Sequence, residues 1–130
     1  MSDPIADLLT RIRNASQAQK RYTVAPHSRV KEQILKILQS KGFIGNFKMV
    51  KDGPRTLLKI SLKYDDNRRP LIQKIARNST PGQRVYVKAA QIPTILGGIG
   101  VSIVSTSQGI MDGVEAKNKN IGGELLCFAW

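Results

Sequence analysis

One histidine, one cysteine and nine carboxylates are the stock from which this chain of 130 residues could build a catalytic or metal centre. His27 stands beside Pro26, just ahead of a helix start, and reads as a loop residue. Any histidine-based triad would rest on it alone. With Cys127 as the only thiol, no tetrahedral zinc set can be assembled. No close cluster of acids offers oxygen ligands to magnesium or calcium. The residues therefore call for no metal and no catalytic role. Gly98-Ile99-Gly100 supplies two glycines of a dinucleotide fingerprint, but position 103 is Ile103, and the run precedes a strand instead of opening a helix. No Lys-Ser or Lys-Thr pair completes a phosphate-binding loop. A small nucleotide-using enzyme thus has only this glycine cluster behind it, and a close approach of two backbones accounts for the cluster equally well. No cofactor and no small-molecule substrate are indicated.

Ser105-Thr106-Ser107-Gln108-Gly109 is a different kind of candidate. Three consecutive hydroxyls end an apolar strand, and alternation would place Ser105 and Ser107 on one face and Thr106 on the other. Hydroxyls both donate and accept hydrogen bonds. That suits the shallow minor groove of an RNA helix, which offers 2′-hydroxyls and base edges. A polar turn capping a strand is the plainer reading of the same residues.

Charge favours the first reading. Lys and Arg total 21 against 9 Asp and Glu, a net +12. Residues 1–66 carry +7 and residues 67–130 carry +5, so neither half is a detachable basic tail. So basic a chain points to a polyanionic partner, most simply nucleic acid. A membrane is not expected, because the longest clear apolar run, Leu125 to Trp130, is far short of the roughly 20 residues a span needs. A single cysteine fits a reducing compartment. The first 20 residues lack a secretory apolar stretch. They are amphipathic and carry Arg11 and Arg13, but Asp3, Asp7 and Pro4 argue against an organellar presequence.

The elements that must position these residues are legible by period. Asp3-Pro4 starts a helix as N-cap and first position. Ile5, Leu8, Leu9 and Ile12 give its stripe, and it fades near Gln17 to Gln19. Tyr22 to Ala25 reads as a strand ended by Pro26. Ser28 caps a second helix, with Val30, Ile34, Ile37 and Leu38 as its buried face and Gly42 as its stop. Phe43 to Val50 and Thr56 to Tyr64 read as strands joined at Asp52-Gly53-Pro54. The polar run Asp65 to Pro70 is taken as a hinge. Beyond it come strands at Leu71 to Asn78, Arg84 to Lys88 (with Val85 and Val87 facing in) and Val101 to Ser105. Ile92-Pro93 begins a loop or single turn. Val114 to Asn120 is a short helix or loop, and Glu124 to Trp130 is a terminal strand buried on both faces. The predicted fold is α+β in two small lobes. Residues 1–66 form an α-β-α-β-β lobe, and residues 67–130 form a mostly β RNA-binding lobe with a short helix.

The segment Gly98-Ile99-Gly100-Val101-Ser102-Ile103-Val104-Ser105-Thr106-Ser107-Gln108-Gly109-Ile110-Met111, followed by Gly122-Gly123-Glu124, closely resembles the C-terminal signature of the small-subunit ribosomal protein S-eight family. Asp3 to Ala15 is similar to that family's first helix. Pro81-Gly82, Arg84-Val85-Tyr86 and Ile92-Pro93 fall where its members have similar residues, so the resemblance runs the whole length. It implies a two-lobed structural protein that binds a helical element in the central domain of small-subunit ribosomal RNA of the 16S type. It also implies an early role in assembly, packing against neighbouring proteins such as protein S-five and, in some bacterial members, repression of its own messenger.

By the same resemblance, Ser105, Thr106, Ser107 and Gln108 face the minor groove. Gly122, Gly123 and Glu124 form the adjacent loop, where glycine permits close backbone approach and Glu124 accepts hydrogen bonds. Tyr86 stacks near the RNA between Arg84 and Lys88. Ser28, Arg29 and Lys31 reach the backbone from the first lobe; alone they would be a cap and a solvated helix face. Asp112-Gly113-Val114 departs from the family's usual Thr-Asp sequence, and Lys117 to Asn120 is less arginine-rich than typical. The Gly-Gly-Glu and Cys-Phe-Ala-Trp patterns look bacterial or organellar. The expected location is a cytoplasmic ribosome, or one in a plastid or mitochondrion. An RNA-binding regulator acting off the ribosome is the other reading.

Overall fold

The structure is a computed structural model and describes residues 3–130. Helix α1 (Pro4–Gln17) begins where Asp3 accepts a hydrogen bond from the Ala6 N–H. Strand β1 (Tyr22–Pro26) leads to helix α2 (Arg29–Ser40), capped by Ser28 accepting from the Lys31 N–H. Strands β2 (Ile44–Asp52) and β3 (Arg55–Leu62) form a hairpin, and the first sheet has the antiparallel order β1-β3-β2. The second sheet contains β4 (Ile75–Arg77), β5 (Tyr86–Val87), β6 (Val101–Thr106), β7 (Gly109–Asp112) and β8 (Gly123–Ala129). Its order is β4-β8-β6-β7, with β5 also pairing β8. Helix α3 (Gly113–Asn118) follows β7 directly, with Asp112 as its cap.

Both long helices face both sheets. Helix α1 packs on β1 and β4, and α2 packs on β2, β6 and β7. One apolar cluster therefore runs from Leu8, Ile12, Ile34, Leu35, Leu58 and Ile60 through to Ile75, Ile103, Leu126 and Cys127. Each fully buried Leu or Ile contributes roughly 1.5–3 kcal/mol against exposure. Polar clamps tie the sheets further. Arg13 donates to the Ile75 carbonyl. Arg77 pairs with Asp3 at 3.1 Å and donates to the Leu126 carbonyl at 2.6 Å. Asp65 accepts from the N–H groups of Asn67 and Arg69, so the run between the two sheets closes as a hydrogen-bonded turn.

The second sheet has its own minor core on the other side, where Ile92, Val104, Met111, Ala116 and Leu125 pack together. Strand β8 is thus covered on both faces, as its unbroken apolar composition implies. Its thiol is sealed: burial pushes Cys127 up to about 12, against a smaller lowering by the Arg77 charge. Iodoacetamide at pH 8 is expected to leave Cys127 unmodified in the native protein and to label it fully in urea. Native labelling at the rate of a free thiol would contradict this packing.

Several local readings are corrected. The buried face of α2 is Lys31, Ile34, Leu35 and Leu38, while Val30 is 41% exposed. The apolar stripe is displaced by one residue because Lys31, at 5% exposure, takes its first place. The lysine stem lies along the core, and its ammonium reaches the Pro26 carbonyl at 3.1 Å. Strand formation over Leu71 to Asn78 is limited to β4, because the Gln73 and Lys74 N–H groups donate to the terminal Trp130 carbonyl. The strand expected over Arg84 to Lys88 shrinks to β5, with the Val85 N–H taken by the Ser79 hydroxyl. Ser107 leaves the strand altogether. Thr106 pairs with Gly109, so Ser107 and Gln108 are a two-residue hairpin turn, and the alternation of hydroxyls stops at Thr106.

Candidate nucleic-acid interface

The strand pairing of the second sheet builds the candidate site. Tyr86 of β5 lies directly opposite Glu124 of β8, and Glu124 lies directly opposite Ser105 of β6. Directly paired residues share a face, so these three side chains form one cross-strand row. Adjacent strands are about 4.8 Å apart, which puts Tyr86 and Ser105 roughly 10 Å from each other. Tyr86 is 71% exposed, and Ser105 is partly exposed at the other end of the row. The Ser107-Gln108 turn extends beyond it into solvent.

The turn is internally braced. The Thr106 hydroxyl donates to the Gly109 carbonyl at 2.7 Å and accepts from the Gln108 N–H at 3.1 Å. Gly109 has φ +113°, a backbone geometry that side chains resist. Of the three hydroxyls, then, Thr106 holds the turn, while Ser105 and Ser107 make no side-chain bond within the described residues. Thr106→Val is expected to lower the unfolding free energy by about 1 kcal/mol, read as an earlier urea midpoint. An unchanged midpoint would remove the brace.

Glu124 is held equally firmly. Its carboxylate accepts from the Ser79 hydroxyl at 2.5 Å and pairs with Arg84 at 2.8 Å. Burial raises its pKa, but the bonds from Ser79 and Arg84 and the charges of Arg84 and Arg77 prevail, leaving it below its ordinary value. Such a group stabilises the fold fully above the unfolded carboxylate value, near 4.3, and that contribution fades as pH falls through the lower folded value. Glu124→Gln is expected to flatten the acid limb of stability against pH. An identical limb in the variant would refute the role. The Oε2 atom of Glu124 is the keystone between Ser79 and Arg84, while its Oε1 has no hydrogen-bond partner among the described residues. Ser79 is 0% exposed, a positioning residue that a lone serine in a loop did not signal.

Gly122 and Gly123 are small because this protein's own backbone crowds them. A side chain at Gly122 would collide with the Val87 carbonyl, and one at Gly123 with the Ser105 carbonyl. Gly123 thereby lets β8 and β6 close up beneath the row.

Charge surrounds this frame. Arg84 and Lys88 are exposed beside Tyr86. From the first half of the chain, Arg29 meets the hairpin in a groove of ≈ 450 Å³ lined also by Val30, Gln33, Gln108, Gly109 and Ile110. The fold thus brings Arg29 to the turn. Ser28 is engaged as a helix cap, and Lys31, expected to reach the RNA backbone, is instead buried with its ammonium on the Pro26 carbonyl. The glycine cluster lies in an irregular turn ahead of β6, where Leu96, Gly97 and Gly98 all have positive φ. Among the described residues no helix is long and apolar enough to cross a membrane.

A family model described as Ribosomal protein S8 matches residues 3–130. The chain belongs to the ribosomal protein S8 family. It is 49% identical to the small ribosomal subunit protein uS8 of Chlamydia pneumoniae over 129 residues, 99% of this chain and 97% of that one. Against the uS8 of Petrotoga mobilis it is 46% identical over 132 residues, covering 99% and 98%. The uS8 of Moorella thermoacetica is 44% identical over the full length of both chains. A match this continuous spans both sheets and both free serines of the hairpin region. S8 proteins are structural components of the ribosome without enzymatic activity.

Proposed function

We propose that this chain is a structural constituent of the small ribosomal subunit that binds the central domain of 16S-type ribosomal RNA directly and supports its assembly. The row Tyr86–Glu124–Ser105, ending in the Ser107-Gln108 turn, carries the reading. Ser105 and Ser107 present uncommitted hydroxyls to the minor groove of an RNA helix, and Tyr86 packs on a sugar or base at the far end. Gln108 adds an amide at the turn, and Glu124 fixes Arg84 through Oε2 while its Oε1 is left to accept a hydrogen bond from RNA. Gly122 and Gly123 keep the strands beneath the row close together. Arg84, Lys88 and Arg29 neutralise phosphates around the rim. Neighbouring small-subunit proteins, S-five among them, pack on other faces of the bound protein. The bacterial relatives support a location in a cytoplasmic ribosome, and recognition of a similar fold in its own messenger would give autoregulation.

The test is a salt titration of affinity for a helical fragment of the rRNA central domain. Log affinity should fall against log salt with a slope of roughly −0.7 to −0.9 for each phosphate neutralised. A flat line would exclude a phosphate-bound complex.

A further inference from the structure

The outer face of the first sheet carries a second cationic surface with an exposed aromatic ring at its centre. Tyr22 of β1 is 51% exposed, and the Lys59 ammonium lies 4.1 Å from its ring centroid. Lys59 is in turn directly opposite Lys48 of β2. Like charges facing each other across strands destabilise a sheet unless a counter-charge relieves them. No such charge is supplied internally: neither lysine makes an ion pair among the described residues. Two hollows meet at this tyrosine, each bordered by Arg21 and Tyr22. One, of ≈ 840 Å³, is reached by Arg11 and Lys20; the other, of ≈ 470 Å³, by Lys48 and Lys59. No carboxylate lines either of them. Of the cationic side chains that line the two hollows, Arg11 alone has an ion-pair partner among the described residues, Asp7.

We propose that this face binds an unpaired stretch of RNA, with one base or sugar stacked on Tyr22 and the flanking phosphates held by Lys48, Lys59 and Arg21. An aromatic platform inside a basic track is how proteins hold single strands without reading sequence. The cation–π contact keeps the Lys59 ammonium beside the ring, so one nucleotide meets both. A second phosphate between Lys48 and Lys59 relieves their repulsion. A protein partner would need carboxylates to do the same, whereas a base or sugar takes the ring face that Lys59 leaves uncovered. The surface rests on the RNA-binding reading but shares no residue with the hairpin row. It gives the first sheet its own grip on RNA that leaves the helix bound by the second.

The probes are fluorescein-labelled decauridylate and a labelled RNA duplex of about the same charge, titrated by anisotropy. Tyr22→Ala is expected to weaken decauridylate binding about five-fold or more while leaving the duplex unchanged. Tyr22→Phe should retain binding, and Lys48→Glu should weaken it and lower the salt slope. Ser105→Ala with Ser107→Ala should spare decauridylate, which separates this surface from the hairpin row. Equal decauridylate affinity for Tyr22→Ala and the unaltered protein would overturn the proposal. Should that variant fail to fold, photocrosslinking of 4-thiouridine-substituted decamer to the unaltered protein decides: attachment within Tyr22 to Val24 or at Lys59 supports it, and attachment only elsewhere overturns it.

Discussion

Gly123→Ala is expected to lower the unfolding free energy by about 3 kcal/mol, the upper end for overpacking a well-packed site. The added methyl would overlap the Ser105 carbonyl and lie 3.2 Å from the Thr106 Cα, and both belong to the backbone of a strand hydrogen-bonded on both sides. Neither strand can yield without breaking the Ser105–Glu124 register. The same variant should therefore bind RNA poorly even where it remains folded, because the row that carries Tyr86 and Ser105 is displaced. Gly82→Ala is the control. A side chain there meets nothing within 4 Å, so its effect should stay within about 0.5 kcal/mol. Urea denaturation reads both, and equal midpoints for the two variants would refute the close-approach role of Gly123.

The second large effect is on binding. Ser105→Ala combined with Ser107→Ala is expected to weaken the complex with a central-domain rRNA helix by about 1–3 kcal/mol, since each net hydrogen bond contributes about 0.5–1.5 kcal/mol. That is roughly a 5- to 150-fold loss of affinity. Neither hydroxyl makes a side-chain bond inside the protein, so stability should hardly change, in contrast to Thr106→Val. Filter binding at fixed salt measures the loss. The salt slope should be preserved, because no phosphate contact is removed. Unchanged affinity would take the two serines out of the interface.

Most of the scaffold is written in short-range pattern. Asp3-Pro4 and Ser28 mark both long helices at their first residues, and the alternation from Leu58 to Lys63 marks β3 almost to its ends. What escaped the pattern depends on which partner each side chain takes, whether near or far in sequence. Lys31 occupies a core position because Pro26 offers a carbonyl, and a lysine in a stripe position reads as solvent-facing until that partner is known. The hydroxyl run looks uniform, yet the pairing of Thr106 with Gly109 divides it into one structural and two free groups. Glu124 reads as a lone acceptor, yet Ser79, 45 positions away in sequence, and Arg84 both hold its Oε2. The resemblance named the correct family from contiguous motifs, but the division of labour inside those motifs required the strand register.

Chemical-shift mapping on the amide-labelled protein, titrated with a helical fragment of the rRNA central domain, asks most directly whether this ledge meets RNA. Shifts should concentrate at Ser105 to Gly109, Gly122 to Glu124 and Tyr86, with a lesser group at Arg29. Perturbations that leave the β6–β7 turn and Tyr86 untouched, and gather instead on residues 95–99 or on the end of α3, would contradict the account.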